Sequence, residues 1–246
     1  MPESSLADRI LSTGFVESDA GERLPVRSSI SAEEGHALQL LIRAAGCRTA
    51  VEIGLAYGIS ALFIGAALQN GSDIHHYIID PKQQEDWSGI GLTNLRRAGL
   101  DGPVEFSSDP SYAALPRLLE RGVRVDFGFI DGFHVFDYAL LDFFYVDLLL
   151  NVGGIVAFDD ANWKSLRALR RFIERNRSYT LLRAPPQPPL THRAKTLTKQ
   201  AVNVVAGSMG QRGQKLIRPV YDEPDQLVAF RKDAEDNRHW TFHRRF

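Results

Sequence analysis

T-A-V-E-I-G-L-A-Y-G-I-S, from Thr49 to Ser60, is the stretch on which the fold turns. A short apolar run ends in an acid and a glycine, a loop follows, and Gly58 opens an amphipathic helix through Ile59, Leu62, Phe63, Ala66 and Leu68. Strand, tight turn and helix in that order place the loop at the carboxyl edge of an open α/β sheet. There a helix N-terminus offers unpaired N–H groups, and glycine lets a ligand approach the backbone. The loop is therefore a candidate nucleotide cradle. A dinucleotide fingerprint would read G-x-G-x-x-G; this loop reads G-x-x-x-G from Gly54 to Gly58, with Glu52 two places before the first glycine.

Working outward, Ser31 and Glu34 form an S-x-x-E capping box ahead of a helix with His36, Leu38, Leu40, Leu41, Ile42 and Ala45 at its apolar positions. After the cradle, strands and helices alternate. Strands are expected at His76–Asp80, Val104–Ser107, Val125–Asp131 and Gly154–Asp159, and helices at Trp87–Ala98, Tyr112–Arg121, Val135–Leu150 and Trp163–Asn176. Apolar strands alternating with amphipathic helices make a parallel sheet covered on both faces, because right-handed crossovers put helices there. A sixth strand at Tyr179–Arg183 precedes a proline-rich, polar segment, read as an insertion or lid over residues 184–222. Gln226–Arg231 reads as the last strand, within a 223–246 tail. The fold class is α/β, doubly wound: a mostly parallel seven-stranded sheet in a single domain over 1–246, with a cofactor-binding core at 31–183. Residues 1–30 form an N-terminal extension with scattered apolar positions that allow a short helix packed outside the sheet.

Composition narrows the partners. The chain has 246 residues, 44% of them hydrophobic, enough to bury a sizeable core. Lys and Arg number 29 against 30 Asp and Glu, so no global positive field draws in nucleic acid. A small-molecule partner is expected, with no nucleic acid and no membrane; a homodimer stays open. The single cysteine, Cys47, excludes an intrachain disulfide and reads as a buried thiol in a reducing compartment. No apolar stretch approaches the roughly 20 residues of a membrane span, so the expected location is cytoplasmic.

Several acids and one histidine fall at the ends of the expected strands. Asp80 closes the second strand, where a carboxylate can accept both hydroxyls of a ribose; as an Asp-Pro pair it also reads as a turn. Asp109, in S-S-D-P-S, reads as a helix N-cap. D-G-F-H at Asp131 to His134 and N-V-G-G-I-V-A-F-D-D at Asn151 to Asp160 end neighbouring strands about 4.8 Å apart, which brings Asp131, Asp159 and Asp160 to one sheet edge. Three carboxylates at one edge repel unless a cation sits among them, and an oxygen-rich site suits Mg²⁺ or Ca²⁺. The competing reading is that Asp159 or Asp160 caps the helix near Trp163.

The Glu52–Ser60 stretch, E-x-G-x-x-x-G-x-S, resembles motif I of the class I S-adenosylmethionine-dependent methyltransferases. The E-E-G-x-x-L-x-x-L helix before it is similar to that of small-molecule O-methyltransferases. D-G-F-H with D-D resembles the metal-dependent catechol O-methyltransferase-like branch and, more closely, macrocin-type sugar O-methyltransferases. The resemblance runs from Ser31 to about Asn176. It implies S-adenosylmethionine bound by Glu52, Gly54, Tyr57, Gly58, Ser60, Asp80, Asp109 and Asp131, with Asp109 at the adenine. It implies a divalent metal, Mg²⁺ or another, on Asp131, Asp159 and Asp160. The catechol branch has Asn where this chain has Asp160, and a lysine where it has His134. The expected catalytic residues are His134, a base with an ordinary pKa of about 6.5, and Asp131. The expected activity is methyl transfer to a hydroxyl of a small sugar or aromatic acceptor, and a last strand antiparallel to the rest belongs to the same family pattern. Alternatives are a nucleotide-dependent oxidoreductase, which wants a different glycine spacing, a nucleic-acid methyltransferase, which wants a basic block, and a non-catalytic binding protein on the same fold.

Overall fold

The computed structural model describes residues 5–68, 73–182, 226–242 and 244–246. In chain order these give α1 (Leu6–Thr13), β1 (Phe15–Glu17), β2 (Arg23–Pro25), α2 (Ala32–Ala45), β3 (Thr49–Ile53), α3 (Ile59–Leu68), β4 (His75–Ile79) and α4 (Ile90–Arg97). Then come β5 (Val104–Ser107), α5 (Ser111–Glu120), β6 (Val125–Ile130), α6 (Phe136–Leu149), β7 (Leu150–Phe158), α7 (Lys164–Asn176), β8 (Tyr179–Leu182) and β9 (Val228–Lys232). The main sheet has seven strands in the order β5-β4-β3-β6-β7-β9-β8. The pairs from β5 to β7 are parallel, and β9 is antiparallel to both its neighbours, as the sequence led one to expect. Strand order runs outward in opposite directions from β3 and from β6. The crevice between their carboxyl ends is thus the topological switch point at which such sheets take ligands.

Alternation along the strands divides the core in two. Ala50, Ile78, Phe127, Phe129 and Ala157 face the layer of α1, α2 and α3, while Val51, Ile79, Ile130, Val156 and Phe158 face α5, α6 and α7. One expectation is corrected here. The helix after the cradle is not amphipathic: of Ile59–Leu68 all but Ala66 are buried. The reason is that α1 and α2 both pack on it from outside, so it lies between two layers and has no wet face. At its crossing with α2 the helices come so close that a Cβ on Gly35 would lie 2.2 Å from the Phe63 ring, which explains the glycine in E-E-G.

The capping box forms as read. Glu34 N–H donates to Ser31 Oγ at 3.2 Å, and Ser31 N–H donates to Glu34 Oε2 at 2.7 Å. Other boundaries shift. The second expected helix starts at Ile90 rather than Trp87, and β7 begins at Leu150, inside what was read as helix end and loop. The N-terminal extension holds the expected helix and also an antiparallel hairpin of β1 and β2 that periodicity did not signal. The 184–222 insertion and Arg183 lie outside the described residues. No helix among the described residues is long and apolar enough to cross a membrane.

Candidate active site at the switch point

The cradle is built by close approach of backbones. Gly54 has φ +94°, and a Cβ there would lie 2.2 Å from the carbonyl oxygen of Asp131. The loop after β3 therefore sits directly against the loop after β6. Gly58, at φ +78°, meets the first turn of α4, where a Cβ would fall 2.9 Å from Gly91 O. Both glycines of G-x-x-x-G are thus required by contact as well as by φ.

The side chains expected to touch a cofactor turn mostly inward. Asp80 Oδ2 accepts from the amides of Leu55 at 3.1 Å and Ala56 at 2.9 Å, and Oδ1 accepts from Lys82 N–H at 2.8 Å. Its carboxylate braces the cradle, and a ribose would have to share it. Glu52 is fully buried: Ser60 donates to its Oε1 at 2.5 Å, and Oε2 lies 2.9 Å from His76 Nε2. Tyr57 is also buried. Arg27 Nε donates to its hydroxyl at 3.2 Å, its ring meets Trp87 edge to face at 5.0 Å, and its carbonyl accepts from Asn94 Nδ2 at 2.9 Å. Asp109 does not cap α5, whose N-cap is Pro110; it pairs instead with Arg117.

The acids gather as the strand register dictates. Ile130 pairs with Phe158, so Asp131 and Asp159 follow side by side. His134 enters the group, its Nε2 3.4 Å from Asp131 Oδ1 and 3.7 Å from Asp160 Oδ2, with its carbonyl accepting from Ser165 Oγ at 2.5 Å. Trp163 lies beside the His134 ring, with centroids 5.3 Å apart. The capping alternative for Asp159 and Asp160 fails: α7 has Trp163 as its N-cap and no side-chain cap bond. Asp160 instead adopts φ +50°, and its carbonyl accepts from Trp163 N–H at 2.8 Å. A non-glycine residue held at positive φ is strain of the kind that collects at functional sites.

Electrostatically the site lacks positive charge. Burial pushes the Asp131 carboxyl up to about 6 against the pull of His134, with Asp160 and Glu52 adding to the rise. Burial, then repulsion from Asp131, Glu34 and Asp160, lifts Asp159 well above the carboxylate range. Burial likewise raises Asp160. Burial works against a charged His134, but Asp131 and Asp160 outweigh it and raise its pKa above the ordinary value. Oδ1 of Asp159 is buried without a hydrogen-bond partner among the described residues. Glu34, read from the sequence only as a cap, is a fourth carboxylate here. Burial raises its pKa, and Asp160 adds to that. The signal was present, since a capping box engages only one of the two carboxylate oxygens. Among the described residues no three acidic, histidine or cysteine side chains form a ready metal cage.

The profile of the methyltransferase-domain family matches residues 51–161, which contain the cradle and every acid of the edge but Glu34. Over that stretch the likeness is to a methyltransferase domain. Among the proteins similar to this chain, an Arabidopsis thaliana sequence of the caffeoyl-CoA O-methyltransferase type is 31% identical over 136 residues, covering 54% of this chain and 55% of its own length. Caffeoyl-CoA O-methyltransferase 2 of Petunia hybrida is 28% identical over 164 residues, covering 61% and 64%. The chain thus spans a little over half to just under two thirds of these curated relatives. Among solved structures, an O-methyltransferase from Bacillus cereus in complex with SAH superposes with a TM-score of 0.58 at 24% identity, covering 74% of this chain and 85% of that one. That likeness establishes the fold.

Proposed function

We propose that this protein passes the methyl group of S-adenosylmethionine to a hydroxyl oxygen of a small aromatic or sugar acceptor. The observation that carries the reading is the contact of Gly54 with the Asp131 carbonyl, which sets a glycine cradle for the donor against an edge holding a base and four acids. The relatives' names and the cofactor complex of the Bacillus cereus neighbour support it. In the reaction a C–O bond forms as the S–C bond breaks, and the hydroxyl proton must leave. Neutral His134 takes it at a ring nitrogen, and Asp131 and Asp160 stabilise the imidazolium. Trp163 and Phe133, the latter 66% exposed, offer ring faces on which an acceptor can lie. Asp131, Asp159 and Asp160 are hard oxygen donors; they do not stand as a ready cage, but with the orphaned Oδ1 of Asp159 among them they would hold a divalent cation by closing on it. When bound, such an ion supplies Lewis acidity toward the acceptor hydroxyl.

The test is calorimetric titration of S-adenosylmethionine with EDTA and with Mg²⁺, followed by transfer of labelled methyl to a panel of catechols, hydroxycinnamoyl thioesters and glycosides. One-site cofactor binding and methylation of at least one acceptor class are expected, with His134→Gln losing turnover but keeping the cofactor. Absence of cofactor binding in both conditions would leave a non-catalytic protein on this fold.

A further inference from the structure

A second site lies away from the acidic edge. A cavity of about 250 Å³ opens between α1, the β1–β2 hairpin and α4. Its walls have two chemistries. Leu6, Ile10, Phe15 and Val16 line it with apolar surface, and Arg9, Arg23 and Arg97 are the basic residues of its wall.

The three arginines are differently engaged. Arg97 spends Nη1 and Nη2 on the hairpin carbonyls of Glu17 at 2.6 Å and Ser18 at 2.9 Å, fixing one wall. The Arg23 guanidinium carbon is over the Phe15 ring, 4.7 Å from the centroid. Neither Arg23 nor Arg9 has a carboxylate partner among the described residues. Elsewhere on the molecule arginines find acids, as in Arg96 with Asp19, Arg117 with Asp109, Arg121 with Glu105 and Arg170 with Glu174. The wall's acid, Glu17, stands across the hairpin from Arg23. Its carboxylate nevertheless leans to the turn, with Oε1 4.0 Å from where a Cβ on Gly21 would lie. At the back is Asn94, whose amide holds the Tyr57 carbonyl of the cradle.

We propose that this cavity binds a small organic anion, a carboxylate on an apolar body, with the body against Ile10, Phe15 and Val16 and the carboxylate on Arg9 and Arg23. Two such arginines beside apolar surface match that ligand, because a carboxylate takes paired N–H donors and an aryl or alkyl group needs only contact. The volume lies below the usual range for drug-sized ligands, which fixes the ligand as small.

Phenylacetate is a suitable probe, with phenylacetamide as its uncharged counterpart, each titrated into the ¹⁵N-labelled full chain and followed by amide shifts. Phenylacetate should move the amides of residues 6–17 and 94–97 saturably, with a Kd of about 1 mM. Phenylacetamide should bind about fivefold more weakly. The Arg9→Ala/Arg23→Ala double variant should abolish that preference, and Arg9→Lys/Arg23→Lys should keep part of it. Equal binding of acid and amide, no shift in these residues, or shifts confined to the Gly54 and Asp131 loops would each overturn the assignment. Both double variants change exposed side chains outside the acidic edge, so cofactor binding serves as the check that they are folded.

Discussion

Asp142 is a buried acid that the proposed reaction does not use, and it makes a sharp test of the electrostatics. It sits on α6, 2% exposed, beneath the Asp131 loop, where Oδ2 is 3.7 Å from the place a Cβ on Gly132 would take. The Ser111 side chain works to lower its pKa, while Oδ1 has no hydrogen-bond partner among the described residues. Burial outweighs that pull and pushes its carboxyl from 3.8 to about 6. Such a shift disfavours the ionised form by about 3 kcal/mol. The folded state binds the proton more tightly than the unfolded state. The protonated acid's contribution is thus fully present below about pH 3.8, falls away as pH rises through 6, and is absent at 7.5. Asp142→Asn keeps the shape and removes the charge. The variant should be about 2 kcal/mol more stable at pH 7.5, some of the gain being lost to an amide N–H without a partner. That corresponds to a rise in Tm of roughly 4–8 °C for a chain of this size. At pH 4 that advantage should be gone and the variant should melt at or slightly below the parent. Thermal melts of both proteins across that range would refute the reasoning if the difference were independent of pH, or if the variant were the less stable at 7.5.

Four other outcomes are expected. Gly54→Ala should weaken S-adenosylmethionine binding at least about tenfold by calorimetry, because the new Cβ must push Asp131 and its loop away. His76→Leu leaves Glu52 buried with Ser60 alone and should cost about 3 kcal/mol in denaturant unfolding, much of it recovered when Glu52→Gln is added. Lys232 is wholly buried and donates Nζ to Asp147 O at 2.8 Å, Leu150 O at 3.1 Å and Glu235 Oε2 at 2.7 Å. Lys232→Met should lose about 3–5 kcal/mol of stability with cofactor affinity unchanged, since this bolt is at the opposite end of the sheet. If His134 is the base, kcat should rise with pH through a midpoint above 6.5, since the acids beside it hold its proton, and His134→Gln should flatten that limb.

Much of the fold was legible because each signal was local and repeated. Val51 and Ile53 face one way and Ala50 the other, and an apolar run with that environment on both faces is a strand whatever its neighbours do. The β1–β2 hairpin was illegible for the converse reason: Phe-Val-Glu and Arg-Leu-Pro are three residues each, too short for a period to register. The all-round burial of α3 could not be read either, because it depends on α1 and α2 arriving from elsewhere in the chain. At the site, register alone placed Asp131 beside Asp159. It did not reveal that Asp80, Tyr57 and Glu52 would brace the cradle. A loop against a buried sheet edge must satisfy its own amides and carbonyls, and the nearest polar side chains do so, whatever ligand they were expected to meet. The sequence shows which groups reach the edge, and only the hydrogen bonds show which are already engaged.

The acids make the functional case from stability alone. Asp131, Asp159, Asp160 and Glu34 all have raised pKa values, so each stabilises the fold less when ionised at neutral pH than when protonated at low pH. His134 offsets part of that for two of them. Oδ1 of Asp159 has no compensation among the described residues. A group that costs folding free energy and sits on a strained backbone, as Asp160 does at φ +50°, fits a site in which stability gives way to function. What would offset it is positive charge from outside the chain. A sulfonium donor is a cation, and so is a divalent metal. Either should raise the melting temperature most at neutral pH and progressively less as pH falls and the acids take up protons. Chelator-treated protein melted with S-adenosylmethionine alone, then with Mg²⁺ alone, separates the two. If both effects were as large at pH 4 as at pH 7.5, the acidic edge would not be the feature that either ligand recognises.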